Sequence, residues 1–155
     1  LVNRETYAYV AGLFDGEGHV SIAIEKPSKE RRRITRSHSL RLTVTNTNYE
    51  VIHWLQGQFG GHISEYQKRE RSRRCWAWRL NGNQACVFLM QIRKYLRIKA
   101  EHAEIAINFQ TTKLKTRSNR SPSPEELERR DAAHYALQAR NLGKAGVDWT
   151  PGAYP

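Results

Sequence analysis

The sequence predicts an α+β fold: a helix, hairpin, helix, hairpin, helix core with helices on one face of an antiparallel sheet and the other face left bare. Three patterns predict it. Residues 5 to 16 place bulky Val10, Leu13 and Phe14 on one side of a helix and small Ala8, Ala11 and Gly12 on another. After Gly18 the period falls to two, with Val20, Ile22 and Ile24 alternating with Ser21, Ala23 and Glu25, and later Leu40, Leu42 and Val44 alternating with Ser39, Arg41 and Thr43. A second alternating pair follows at about His62 to Arg69 and Arg74 to Leu80, joined by an arginine-rich turn.

Between the hairpins, Asn46 or Asn48 can cap a helix that runs through Val51, Ile52 and Leu55 to Phe59, where Gly60-Gly61 stops it. Asn83 opens a long helical stretch through Val87, Phe88, Ile92 and Leu96, with a break near Ile98 before Ala103 to Phe109. Ser123-Pro124-Glu125-Glu126 starts a last helix by the rule that proline follows the cap, and it should end near Leu142 before Gly143. The expected division is a core over residues 1–110, then a basic linker, C-terminal helix and loose tail over 111–155. A length of 155 residues suits one domain.

The formal net charge is +11, and half of the 26 Lys and Arg residues fall in two blocks. One runs from Lys26 through Arg31, Arg32, Arg33 and Arg36 to Arg41; the other runs from Lys68 through Arg71, Arg73 and Arg74 to Arg79. Focused charge of this kind points to a polyanion, nucleic acid first, whereas an evenly solvated surface would spread it. A bare, positively charged sheet face can lie on a duplex, because the major groove, about 12 Å wide, admits a two-stranded ribbon. By strand parity Ser21, Ala23, Glu25, Ser39, Arg41 and Thr43 face the bases from the first hairpin. From the second, His62, Ser64, Tyr66 and Lys68 do so, with Cys75, Ala77 and Arg79 opposite them if Trp76, Trp78 and Leu80 are core. Arg31, Arg32 and Arg33, like Arg71 and Arg73, sit at loop tips suited to phosphates.

Cys75 and Cys86 form no CxxC pair, so two reduced thiols and no structural zinc are expected. No apolar run approaches the roughly 18 to 20 residues that cross a bilayer, which predicts an intracellular, soluble protein.

The chemistry concentrates in Val10-Ala11-Gly12-Leu13-Phe14-Asp15-Gly16-Glu17-Gly18. Two carboxylates stand at a helix C-terminus, where the macrodipole is negative and the last carbonyls lack partners. A divalent cation held by Glu17 and a carbonyl such as that of Gly16 would compensate. The alternative is an acidic helix end with Gly16 or Gly18 left-handed. Glycines between a helix and a following strand have the wrong order for a dinucleotide loop.

This stretch resembles the LAGLIDADG motif at Ala11, Gly12, Leu13, Asp15 and Gly18, with Glu17 in place of the second aspartate. The likeness extends over about residues 5 to 108, through Thr45-Asn46-Thr47-Asn48, Phe59-Gly60-Gly61 and Tyr95-Leu96-Arg97-Ile98-Lys99. It implies a site-specific homing endonuclease that hydrolyses phosphodiesters with Mg²⁺ and makes a staggered double-strand break in a long, nearly palindromic target. It also implies that two motif helices pack through small residues such as Ala8, Ala11 and Gly12. Glu17 is then the metal ligand aided by the Gly16 carbonyl, Asp15 a structural residue at the helix junction, Lys99 a catalytic lysine near the scissile phosphate, and Asn46 a contact to active-site water. One motif per chain implies a homodimer holding two or three divalent ions. The family also includes intron RNA-splicing maturases, and a non-cutting DNA-binding regulator is a further alternative, against which the intact Glu17 and Lys99 argue.

Overall fold

The computed structural model describes residues 2–29, 35–66, 73–113 and 121–143. In chain order they form α1 (Arg4–Glu17), β1 (Gly18–Glu25), β2 (Ser37–Asn46), α2 (Tyr49–Phe59), β3 (His62–Tyr66), β4 (Cys75–Asn81), α3 (Gly82–Ile92), a single 3₁₀ turn (Arg93–Tyr95), α4 (Ala100–Thr112) and α5 (Pro124–Asn141). The strands make one antiparallel sheet in the order β1-β2-β4-β3. The α+β architecture expected from the alternating periods is therefore the one observed.

The even-numbered apolar residues of the first hairpin, Val20, Ile22, Leu40, Leu42 and Val44, are buried beneath the helices. In β4 the same layer receives Trp78 and Leu80, which resolves the parity of the second hairpin. Trp76 is only half-buried and packs edge-on against Tyr49 at 5.3 Å. Trp78 meets Phe88 at 5.2 Å, and Phe88 meets Phe14 at 5.9 Å, so one aromatic cluster joins the sheet to α1 and α3. The buried indole donates its N–H to the Gly60 carbonyl at 2.7 Å, which leaves no unpaired polar atom in that layer at Trp78. Gly60 and Gly61 have φ of 71° and 92°, and a side chain at Gly61 would meet the Arg79 carbonyl at 2.6 Å, so both glycines are needed for α2 to turn into β3.

Several boundaries differ from the sequence expectation. β3 is described only to Tyr66, and the expected continuation to Arg69 lies outside the described residues. β4 runs one residue further than expected, to Asn81, and passes into α3 at Gly82 without a loop. Val87, on the expected helical stretch, is 54% exposed.

α5 lies along the outer edge of the sheet. The amide of Asn141 donates to the Val20 carbonyl at 3.0 Å, and His134 Nδ1 donates to the Ile22 carbonyl. Edge carbonyls that would template another strand are thus satisfied within the chain. Leu137 enters the common core. Asp131 takes a bidentate bond from Arg36 at 2.5 and 3.2 Å and another from His38 Nε2 at 2.6 Å, while Lys113 donates to the His38 carbonyl at 2.6 Å. Arg36, part of the first basic block, therefore braces β2 against α5. Burial pushes His38 below its ordinary value despite the Asp131 carboxylate.

Candidate active site and nucleic-acid interface

α1 is anchored at its start by Asn3, whose side chain accepts the Thr6 amide at 2.8 Å, and it ends on Glu17. Gly18 continues directly into β1 with φ −80°, and the positive-φ glycines of the described residues are Gly60, Gly61, Gly82 and Gly143. The left-handed helix end at Gly16 or Gly18 is therefore not what forms. Gly18 is small for a steric reason, since a Cβ there would overlap the Phe14 ring and carbonyl.

Three residues at this helix end have distinct environments. Asp15 is buried and accepts the backbone N–H of Arg97 at 2.8 Å and of Lys99 at 2.9 Å. Burial alone would raise its pKa, but the amides of Arg97, Lys99 and Ile98 and the Lys99 charge outweigh this and hold it below the usual carboxylate value. The side-chain ammonium of Lys99 donates to the Asp15 carbonyl, at the negative end of α1. An ammonium has three donors, so two remain for a phosphate or water. Glu17 is exposed, as is Gly16 beside it. Of the orphan helix carbonyls, that of Phe14 is taken by the Gly18 N–H and that of Asp15 by Lys99, which leaves the Gly16 carbonyl next in line beside Glu17.

Asp15→Ala should leave the part-buried amides of Arg97 and Lys99 without their acceptor and cost about 2–6 kcal/mol of stability, at about 1–3 kcal/mol per orphaned donor. Denaturant unfolding at pH 7 measures it. Because the folded pKa of Asp15 is lowered, its contribution is present above the unfolded carboxylate range and fades as pH falls through the folded value. The wild-type-minus-variant difference should therefore shrink below pH 4.

The small face of α1 divides. Ala8, Gly12 and Gly16 point outward in line with Glu5 and the 56%-exposed Tyr9. Ala11 does not join them: it is wholly buried in the core of its own chain, one helical turn before Phe14, because residues 10, 11 and 14 share the inward face. A Cβ built on Gly12 meets no atom within 4 Å. Nothing within the described chain requires glycine at that position.

On the bare sheet face, Ser21 lies opposite Arg41, Ala23 opposite Ser39, and Arg79 opposite Thr43 on one side and His62 on the other. Ser21, Ser39, Arg41, Thr43, Arg79 and Asn81 line a shallow groove of about 550 Å³. Arg41 is bonded to Glu25 at 2.6 Å, which orients its guanidinium across the first hairpin. Arg73 and His62 are exposed, while Cys75 and Ser64 are half-buried. Ala77 is a correction: although on this face, it is only 3% exposed, since Thr45 and Ser64 flank its methyl from both neighbouring strands. Tyr66 ends β3, and Arg31, Arg32, Arg33, Lys68 and Arg71 lie outside the described residues.

Asn46 ends β2, and its side-chain oxygen accepts the Asn48 N–H at 2.8 Å, shaping the entry to α2. No bond among the described residues joins it to Glu17 or Lys99. Two residues on the bare face escaped the sequence reading. His19 follows Glu17 by two and pairs with Thr43; loss of solvent and then the Lys99 charge push its imidazole below the ordinary value. Asn81 is the other. Parity extended by one step from Ser21 back to 19, and from Arg79 on to 81, would have found both.

Among the described residues no group of three His, Cys, Asp or Glu side chains could hold a metal ion. Among the described residues, the end of α1 presents Glu17 and neighbouring carbonyls, hard oxygen groups of the kind that suit Mg²⁺ or Ca²⁺ but too few to enclose an ion. Among the described residues no helix is long and apolar enough to cross a membrane.

An antiparallel sheet backed by helices, with an exposed carboxylate at the end of a helix bearing a small-residue face, is the arrangement that the sequence resemblance implied. The chain belongs to the LAGLIDADG endonuclease family, whose model matches residues 10–103. No curated protein sequence matches the chain. Solved structures share the fold. The homing endonuclease I-CvuI, in complex with the I-CreI target and Mg and with DNA not cleaved, superposes with a TM-score of 0.70 at 18% identity, over 95% of this chain and 87% of that one. The archaeal intron-encoded homing endonuclease I-Vdi141I, complexed with DNA, gives 0.66 at 17% identity over 86% and 82%. I-SmaMI bound to cleaved DNA gives 0.62 at 19% identity, over 93% of this chain but 49% of that chain.

Proposed function

We propose that two copies of this chain form one Mg²⁺-dependent endonuclease that makes a staggered double-strand break in a long, nearly palindromic duplex. The observation that carries this reading is the outward face of α1: Ala8 and Gly12 leave room for a second backbone, and the same helix ends on an exposed Glu17. That the chain matches about half the length of I-SmaMI supports a two-copy assembly.

Packing α1 against its symmetry mate carries two Glu17 carboxylates toward the twofold axis. Like charges at close range disfavour ionisation of both unless a cation lies between them. Two or three Mg²⁺ ions fit this donor set, two carboxylates and the Gly16 carbonyls, and when bound they would neutralise phosphate charge and acidify water. Asp15 fixes the helix end to the Arg97–Lys99 segment, and the Lys99 ammonium bonds the Asp15 carbonyl, two residues before Glu17. It would steady the negative charge that grows at phosphorus during hydrolysis. Ser21, Ala23, Glu25, Ser39, Arg41, Thr43, His62 and Arg79 lie over base edges, while the arginine-rich tips and Arg73 hold phosphates.

A cleavage selection on a randomised palindromic duplex library, with Mg²⁺ present, tests the reading. The expected result is a symmetrical consensus; recovery of no cut sequence would sink it. On the selected target, Lys99→Met should lower the single-turnover rate by about 10²-fold while leaving affinity nearly unchanged, since it removes transition-state charge stabilisation without removing the ion-binding carboxylates. An unchanged rate would return Lys99 to a purely structural role.

A further inference from the structure

Asn81 opens α3 from a position where asparagine ordinarily caps a helix, yet its side chain makes no cap bond. The backbone explains this. Asn81 is extended, with φ −131° and ψ 153°, as the capping Asn3 and Asn48 also are, but here the next residue, Gly82, turns into the helix at φ +53°, a conformation that side chains beyond glycine rarely adopt. Asn81 therefore stays in register on β4, opposite Arg41, and its exposed amide lines the groove with Ser21, Ser39, Arg41, Thr43 and Arg79.

Four of these six side chains are neutral, each able to donate and accept. Neutral side chains can reach phosphates as well as bases, but on a strand face broad enough to enter the major groove, groups that both donate and accept match the mixed donor and acceptor pattern of base edges. Arg41 is steered by Glu25 at 2.6 Å, which makes it a directed reader beside Asn81. In the major groove a carboxamide matches adenine bidentately, its oxygen accepting from N6 and its nitrogen donating to N7.

We propose that Asn81 is a specificity-determining residue that selects an adenine at one position of each half-site, next to the base read by Arg41. This rests on the reading of the chain as a duplex-cleaving homodimer. The test is cleavage of a panel of single-base variants of the selected target by wild type, Asn81→Ala and Asn81→Asp, with thermal unfolding of all three. Asn81→Ala should flatten the preference at one position per half-site by about ten- to a hundredfold and leave the others alone. Asn81→Asp, as good a cap as asparagine, should turn that position toward cytosine, whose N4 amino group is a donor. If both variants keep the wild-type profile, with or without a change in Tm, Asn81 reads no base and the proposal fails. If wild type cuts no duplex preferentially, the endonuclease reading itself falls, visibly before any variant is compared, and this inference falls with it.

Discussion

Glu17→Gln is expected to abolish double-strand cleavage, lowering the single-turnover rate by at least about 10³-fold, or roughly 4 kcal/mol of transition-state stabilisation. The substitution keeps the shape of the side chain and removes the charge that makes it a ligand for a hard cation. Glu17 is exposed and ends α1, so no core contact is lost with the charge. Duplex affinity should stay within about tenfold, because the groove residues and basic loops are untouched. Filter binding in Ca²⁺ and single-turnover cleavage in Mg²⁺ separate the two effects. Cutting near the wild-type rate would remove Glu17 from the active site.

The second large effect is expected at Gly12. A Cβ there meets no atom of its own chain within 4 Å on an exposed helix face, and replacing a mid-helix glycine raises helix propensity by up to about 1 kcal/mol, so the protomer should fold at least as stably as wild type. At a symmetric helix contact a leucine at this position enters twice. Overpacking costs about 1–3 kcal/mol per side chain, hence about 2–6 kcal/mol per dimer, or roughly 30- to 10⁴-fold in dissociation constant. Gly12→Leu should sediment as a monomer at micromolar concentration with an unaltered or raised Tm, and should not cut DNA. A stable, active Gly12→Leu dimer would show that the outer face of α1 is not the contact.

Much of this architecture was legible because period-two patterns leave little choice: Leu40, Leu42 and Val44 inward fixes Ser39, Arg41 and Thr43 outward. Alanine is less informative, since it fits a core and a helix contact equally well. Ala11 thus read as part of the small face but lies in the core. Asn81 was hidden by Asn83, which looked like the start of a helix that in fact begins at Gly82 with no loop before it. The place of α5 could not be read locally at all. Its anchors are hydrogen bonds spanning 93 residues to His38 and 121 to Val20, and its most striking partner, Arg36, belongs to a basic block whose composition pointed outward. The same holds for Asp15, whose carboxylate accepts from backbone amides 82 and 84 residues away.

The central claim is that paired copies of this chain hydrolyse both strands of a duplex with a divalent ion held at Glu17. A supercoiled plasmid carrying the selected palindromic target measures this most directly, incubated with the wild-type protein in Mg²⁺ and, in parallel, in excess EDTA. The account predicts a linear product at a single position in Mg²⁺ and intact supercoiled plasmid in EDTA. Plasmid left uncut in Mg²⁺, or linearised equally in EDTA, would contradict it.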